Sequence, residues 1–395
     1  MTNVKEESIL IVCGETSSDE HMALVLPYLR ELLPTTKFFG MGGAKLSKNG
    51  MELTVDARTT ASVMGFTEVV GKLGQLYKAF WKLLDEVDER KPKVAVLVDF
   101  PDFNLRMARK LHERGIKVVY FISPQLWAWR RGRIELMKKY VDKILPIFPF
   151  EEDFYRDKGV SAKYVGHPYT DEVLDSVNRN EFLINNGIEQ KSKIVAFLPG
   201  SRKAEIIKNL PIMLESIEIL ANKHPDLCFV IPVAHSVSEI VSVYKKDIKG
   251  VSFIEGQAKE LLHVANAGVI ASGTATIEAA LSGIPFCICY RVSKLTYLIG
   301  KLLIRGVKFI GMPNLIANRE IVREFVQDKF DPSSIANEVE RLVFDDKYRK
   351  QIMEDLAAVK AKLETGDLTS VAEKVAKEIY SEIQAVHITQ LQAQA

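Results

Sequence analysis

Residues 98–105, "VDFPDFNL", hold two aspartates three positions apart, Asp99 and Asp102. Asp99 ends the apolar run "KVAVLVD", which reads as a buried strand. Its carboxylate therefore falls at the carboxyl end of that strand, where open α/β sheets place ligands. A carboxylate there can take a proton from a sugar hydroxyl. Asp102 has a second reading, as N-cap of the helix that "FNLRMARKL" begins. Residues 13–21, "CGETSSDEH", follow the first strand at the same sheet edge. Glu15, Ser17, Asp19 and His21 can line the same cleft, although a lone loop histidine such as His21 is more often an ordinary one.

Two strand-to-helix turns suit an anion. In "LPGSRKAEI", residues 198–206, Gly200 allows a tight turn and Ser201 follows it. Backbone N–H groups then open a helix, and Arg202 adds a forked donor that matches a diphosphate. In "ASGTATIEAALSGIPFCICY", residues 271–290, the turn Ser272-Gly273-Thr274 repeats the device. Glu278, one turn in, can accept both hydroxyls of a ribose. The alternative is plain Ser/Thr capping with a dipole-favoured acid. Two such turns in one domain point to a nucleotide diphosphate.

Residues 121–137, "FISPQLWAWRRGRIELM", carry two of the three tryptophans, Trp127 and Trp129, followed by Arg130, Arg131 and Arg133. Aromatic surface beside dense positive charge suits a ligand that is both apolar and phosphorylated. The two tryptophans can instead share one buried face, with the arginines solvated. Residues 66–87 are amphipathic, with Leu73, Leu76, Tyr77, Phe80, Trp81 and Leu84 on one helical face and lysines flanking. Such a stripe faces a core or dips into lipid. The Gly-rich turn "GMGGAKL", residues 40–46, lacks G-x-G-x-x-G spacing and says little alone.

The elements that position these residues alternate. "ILIVCG", "KVAVLVD", "KVVYFIS" and "KILPIF" read as buried parallel strands with amphipathic helices between. The series restarts with "KIVAFLPG", "LCFVIPVA", "VSFIEG", "AGVIASGT" and "IPFCICY". Two series in 395 residues predict an α/β protein of two doubly wound, Rossmann-like domains. The expected domains are residues 1–180 and 190–365, with a C-terminal helix and frayed tail over 366–395. A net charge of +2 favours no particular partner, and nucleic acid is not expected. No apolar run is long enough to span a bilayer, and the start of the chain reads as a strand rather than a signal peptide. The four cysteines form no C-x-x-C pair and read as buried, reduced thiols.

Taken together and in this order, "GETSSDEH", "FFGMGG", "SVMGFTEVV", "DFPDFNLRMA", "SPQLWAWRRGRI", "LPIFPFEEDFY", "YVGHP", "LPGSRKAEI", "ASGTATIEAAL" and "MPNLIAN" resemble the lipid-A-disaccharide synthase family. The likeness runs from about residue 10 to 327. It implies a GT-B fold, with an N-terminal acceptor domain, a C-terminal nucleotide-sugar domain and a cleft between them. It implies an inverting glycosyltransferase that joins UDP-2,3-diacylglucosamine to 2,3-diacylglucosamine 1-phosphate and releases UDP.

The family's Asp, Arg and Asn positions match Asp99, Arg202 and Asn314. Asp99 and Arg202 are then catalytic. Gly200, Ser201, Arg202, Ser272, Gly273, Thr274, Glu278, Asn314 and Gln327 bind the UDP-sugar. Glu15, Ser17, Asp19, His21, Asp102, Trp127, Trp129 and Arg130 bind the acceptor. Leu73, Leu76, Phe80 and Trp81 meet the membrane. The chain holds no D-x-D, so neither a catalytic metal nor an organic cofactor is expected. Peripheral binding to the cytoplasmic face of the inner membrane follows from the lipid substrates, and a homodimer is one open assembly.

Ser18 and Met22 replace family glycines and are expected to tighten the acceptor cleft. Arg323 stands where the family has proline. A UDP-sugar epimerase of the same fold, or a non-catalytic nucleotide-sugar or lipid-binding relative, are the rival readings.

Overall fold

A computed structural model of the chain describes residues 7–60, 69–171, 177–189, 192–245, 250–293, 297–298, 307–366 and 369–394. The chain divides into two compact units, Met1–Asp171 with Thr365–Ala395, and Glu172–Glu364.

The first unit holds strands β1 (Ser8–Cys13), β2 (Lys37–Gly42), β3 (Glu52–Asp56), β4 (Val94–Val98), β5 (Lys117–Phe121) and β6 (Lys143–Leu145). They form one sheet in the order β3-β2-β1-β4-β5-β6, with every pair parallel. Side chains alternate across a strand, so β1 feeds two cores. Leu10 and Val12 enter one, and Ile9, Ile11 and Cys13 the other. Burial on both faces is why these strands read as continuous apolar runs.

The second unit repeats the plan with β7 (Lys193–Leu198), β8 (Leu227–Val233), β9 (Val251–Glu255), β10 (Ala267–Ala271), β11 (Phe286–Tyr290) and β12 (Glu324–Val326). Its order is β12-β11-β10-β7-β8-β9, again parallel throughout. In each sheet the order reverses once, between β1 and β4 and between β7 and β10. These reversals are where a doubly wound sheet opens a crevice beyond its carboxyl ends.

Three strands are absent from the sequence reading: β2, β3 and β12. The first is hidden by its glycines, which disfavour strands in general. The last is only three residues long. The C-terminal tail is not frayed as expected. A helix runs Val371–Gln394, and Val371, Val375, Ile379 and Ile383 join the core that β1 feeds with Ile9 and Ile11. Asp171 anchors its start by accepting the Val371 and Ala372 amides, both at 2.8 Å. The four cysteines are buried and unpaired.

The amphipathic stripe lies on the helix Val69–Arg90 and divides in two. Leu84 is core, and Leu76 and Phe80 pack against that core, with Phe80 edge-on to Phe103 at 5.4 Å. For Leu76 and Phe80 this packing favours the core side of the two readings of the stripe over the membrane contact expected of them. Tyr77 and Trp81 are 65% and 41% exposed. The side chain of Leu73 lies outside the described residues. Changing Tyr77 and Trp81 together to serine is expected to reduce co-sedimentation with liposomes while circular dichroism and melting stay native. Changing Leu76 and Phe80 to serine is expected to lower the melting temperature instead, because each removes apolar area packed against the core, at about 25 cal/mol per Å² withdrawn from water. Wild-type liposome binding by the Tyr77/Trp81 variant would rule this helix out as the lipid contact.

Candidate active site

In the first unit the site is built where β1 and β4 end. Asp99 follows β4 directly, and its amide donates to the Phe121 carbonyl at 3.0 Å. Asp99 and Phe100 both adopt left-handed backbone, φ 47° and 50°. Two consecutive non-glycine residues there carry strain of about 1–3 kcal/mol each. Surrounding groups hold them in place. The buried Asn104 donates its Nδ2–H to the Val98 and Asp99 carbonyls at 3.1 and 2.8 Å, and the Tyr120 hydroxyl donates to the Asp99 carbonyl at 2.7 Å. The Asp99 carboxyl is pushed up to about 6, first by burial and then by the charge of Glu15, with the Phe100 amide partly offsetting both. A carboxylate near that value is ionised at neutral pH and still basic enough to accept a proton.

Asp102 is not the N-cap. Phe100 holds that position, and Asp102 lies inside the first turn of the helix Pro101–His112. It pairs with Arg130 at 3.0 Å and with Arg133. Burial would raise its pKa, but the hydrogen bonds and charges of Arg133 and Arg130 hold it below the usual value.

Asp19 is committed elsewhere. Its Oδ1 accepts the Gly43 and Leu46 amides at 2.6 and 3.3 Å, and its Oδ2 accepts the Lys45 amide at 3.1 Å. The Gly-rich turn therefore wraps a carboxylate of this chain. A Cβ on Gly43 would lie 2.7 Å from Asp19 Oδ2, which is why glycine stands there. This removes Asp19 from the acceptor contacts. Glu15 is the N-cap of the helix Thr16–Leu32, and Ser17 is half-buried in its first turn. Ser18 donates to the Glu15 carbonyl at 2.7 Å, and Met22 is buried in the core. Both residues that replace family glycines are therefore buried within this unit, Ser18 in a capping bond and Met22 in packing. His21 is buried and edge-on to Tyr169 at 5.2 Å.

The Trp-Arg segment resolves into distinct roles. Trp127 is half-buried. Its Nε1–H donates to Glu151 Oε1 at 3.0 Å, and Phe150 meets its ring edge-on at 5.1 Å. Trp129 is 40% exposed, with the Arg130 guanidinium 4.5 Å above its ring. The two indoles do not share a buried face. Arg131 donates to the Trp127 carbonyl at 3.1 Å.

In the second unit the turns after β7 and β10 differ. After β7, the Ser201 and Arg202 amides donate to Glu205 Oε2 at 3.0 and 3.2 Å. The anion position at the start of the helix Lys203–Lys223 is thus filled by a carboxylate of the same helix. Gly200, at φ 112°, makes room, since a Cβ there would meet Glu205 Oε2 at 2.3 Å. Arg202 pairs with Glu205 at 3.1 Å, and its side chain is 72% exposed. After β10, Ser272 donates to the Ile310 carbonyl at 3.2 Å, and Gly273 and Thr274 are exposed. Among the described residues the amides of Gly273, Thr274 and Ala275 meet no protein acceptor. Of the two helix starts this is the one whose amides are open to an anion, heading the helix Ala275–Ser282. Glu278 lies in its first turn, 3.8 Å from Lys259.

Asn314 and Gln327, both expected at the nucleotide, make hydrogen bonds to the protein itself. Asn314 is buried and uses its whole hydrogen-bonding capacity internally. Its Nδ2 donates to the Val322 carbonyl and Glu324 Oε1, both at 2.8 Å, and its Oδ1 accepts the Ile321 and Val322 amides at 2.8 and 3.0 Å. Gln327 grips the Val292 backbone, accepting its amide at 2.9 Å and donating to its carbonyl at 3.3 Å. Arg323, in place of the family proline, reaches the buried Glu338 at 3.0 Å.

The motifs "LPIFPFEEDFY" and "YVGHP" contain two further residues, Glu151 and His167, to which residue type and spacing assign no role. Glu151 is fully buried, and burial pushes its carboxyl up to about 8 against the Trp127 and Phe148 hydrogen bonds. His167 is lowered to about 3 by burial and then by the charge of His21. A charged residue type inside an apolar-flanked motif was the available signal.

The sequence matches the family described as lipid-A-disaccharide synthetase over residues 9–379. It is 43% identical over 370 residues to the lipid-A-disaccharide synthase of Myxococcus xanthus, covering 93% of this chain and 96% of that one. The lipid-A-disaccharide synthase of Acidobacterium capsulatum is 41% identical over 389 residues, covering 94% and 96%. Among solved structures, UDP-GlcNAc 2-epimerase from Neisseria meningitidis bound to UDP-GlcNAc shares the fold with a TM-score of 0.61 at 13% identity, over 95% of this chain and 100% of that one. The kitacinnamycin glycotransferase does so with a TM-score of 0.64 at 13% identity, over 96% and 98%.

Proposed function

The chain belongs to the lipid-A-disaccharide synthetase family, and from that premise we propose how its residues make the disaccharide. It is a GT-B glycosyltransferase of lipid A biosynthesis. The donor in this reading is UDP-2,3-diacylglucosamine and the acceptor 2,3-diacylglucosamine 1-phosphate. Asp99 takes the proton of the acceptor's 6-hydroxyl as that oxygen attacks the anomeric carbon of the donor. The bond from that carbon to UDP breaks, the anomeric centre inverts, and a β-1,6 linkage forms.

Charge on the departing diphosphate is met by the amides of Gly273, Thr274 and Ala275 and by Arg202. The acceptor phosphate falls to the cluster at Arg130–Arg133, where the exposed Arg130–Asp102 pair is weak enough to exchange for a ligand. Trp127 and Trp129 offer the adjoining apolar surface.

Among the described residues no helix is long and apolar enough to cross a membrane. Peripheral attachment to the cytoplasmic face of the inner membrane through Tyr77 and Trp81 accounts for access to two lipid substrates. The observation that carries the mechanism is Asp99. It is a carboxyl raised to about 6, held in strained backbone by Asn104 and Tyr120, at the end of the strand beside the sheet reversal.

The test is incubation of the purified protein with both lipids, with UDP and product mass measured. UDP and disaccharide appearing together, and only when the acceptor is present, is the expected outcome. An altered donor sugar without acceptor would identify an epimerase, and binding without turnover a non-catalytic relative.

A further inference from the structure

Glu151 has no part in the chemistry above, yet it is a fully buried acid at the third position of the helix Pro149–Arg156. Part of its role is local. Its Oε2 accepts the Phe148 amide at 3.2 Å, as a capping acid does. Capping does not require full burial, and a buried carboxyl with nothing else to bond would be costly. The other oxygen leaves the helix and accepts the Trp127 indole N–H at 3.0 Å.

One turn on, Tyr155 donates its hydroxyl to the Pro124 carbonyl at 2.9 Å. The helix therefore grips the segment between β5 and the arginines at two points, Pro124 and Trp127. That segment is bounded by left-handed backbone at Ile122, φ 58°, and Arg130, φ 52°. A β-branched residue is rarely found there, so the path from β5 to Trp127 is held by its surroundings and not by local preference. Trp127 is pinned on one side by the carboxyl and met by Phe150. Trp129, two residues later, is exposed with no such anchor.

We propose that Glu151 is a positioning residue for acceptor binding, fixing the orientation of the Trp127 indole through its Oε1 and leaving donor binding untouched. The functional half rests on the reading that Trp127 meets the acceptor, and the experiment separates the two halves.

Two variants of the full chain decide it. Glu151→Leu keeps the volume and removes both acceptor oxygens, while Glu151→Gln keeps Oε1. Trp127 is followed by the indole N–H resonance in protein carrying ¹⁵N-tryptophan, assigned with Trp127→Phe. In Glu151→Leu this resonance is expected to move upfield as the hydrogen bond is lost. In the same variant the acceptor KM is expected to rise roughly ten-fold, the equivalent of one lost hydrogen bond, with the donor KM unchanged. Glu151→Gln is expected to restore both readouts.

An unmoved resonance in Glu151→Leu overturns the coupling. A moved resonance with a wild-type acceptor KM, where Trp127→Phe does raise that KM, overturns the positioning role. If neither variant raises it, the reading of Trp127 as an acceptor contact fails, and the positioning role with it. Should Glu151→Leu not fold, Glu151→Asp, one methylene shorter, replaces it under the same criteria.

Discussion

Replacing Asp99 by asparagine is expected to lower the single-turnover rate about a hundred- to ten-thousand-fold, the range for loss of a general base, with UDP affinity near wild type. Asparagine keeps the shape of the side chain, so Asn104 and Tyr120 still hold the backbone carbonyl. What disappears is basicity.

The pH dependence follows from the same residue. Burial and Glu15 raise the Asp99 carboxyl to about 6. Its proton-accepting form is therefore populated above that pH and lost below it. The wild-type kcat/KM is expected to fall on the acid side with an apparent pKa near 6, and the residual activity of Asp99→Asn should lack that limb. The stability effect has the opposite sense. A raised folded pKa means that the stability Asp99 contributes is present below its unfolded value and is lost as pH rises through about 6. Asp99→Asn is thus no less stable than wild type at pH 8, and poor folding cannot account for lost turnover. Asp102→Asn is the control, expected to keep most activity because its pairs with Arg130 and Arg133 lie on the surface. A fast Asp99→Asn, or equal losses in both variants, would move the base elsewhere, with Glu15 and His21 next.

Arg202→Ala is expected to reduce kcat/KM for the UDP-sugar about ten- to a hundred-fold, the effect of losing a charge-assisted bond of about 1.5–3 kcal/mol. The structure sharpens the reason. Glu205 already occupies the Ser201 and Arg202 amides, so the turn after β7 offers the diphosphate a side chain and not a backbone nest. The Arg202 guanidinium is exposed, and its pair with Glu205 is of the kind worth little in water, so it can turn to a diphosphate at small cost. Arg202→Lys should recover part of the loss, since it keeps the charge without the fork. Acceptor KM should not change. Unaltered donor kinetics in a folded Arg202→Ala variant would exclude this residue from the donor site.

Much of the architecture was legible in the sequence because its signals are local. A strand buried on both faces must be apolar throughout, so β1, β4, β5, β7, β8 and β10 stand out in the sequence. A turn from strand to helix must carry glycine, serine or aspartate, so Asp99, Gly200 and Ser272 could be placed at carboxyl ends before any sheet was known. Parallel strands joined by helices then fix two doubly wound sheets.

Which polar groups remain available for a ligand is a different kind of fact. Asp19 is consumed by amides 24 to 27 residues away, and the Glu151 carboxyl by an indole 24 residues back. Asn314 is spent on the segment before β12. Leu76 and Phe80 are taken by a core that Tyr77 and Trp81, on the same helix, do not reach. Residue type and spacing determined where chemistry could sit, since strand ends and turns are written in neighbouring residues. Tertiary structure alone decided which of those residues are free to do it. Each hydrogen-bonding group has a finite number of partners, and in a packed interior those partners come from distant parts of the chain.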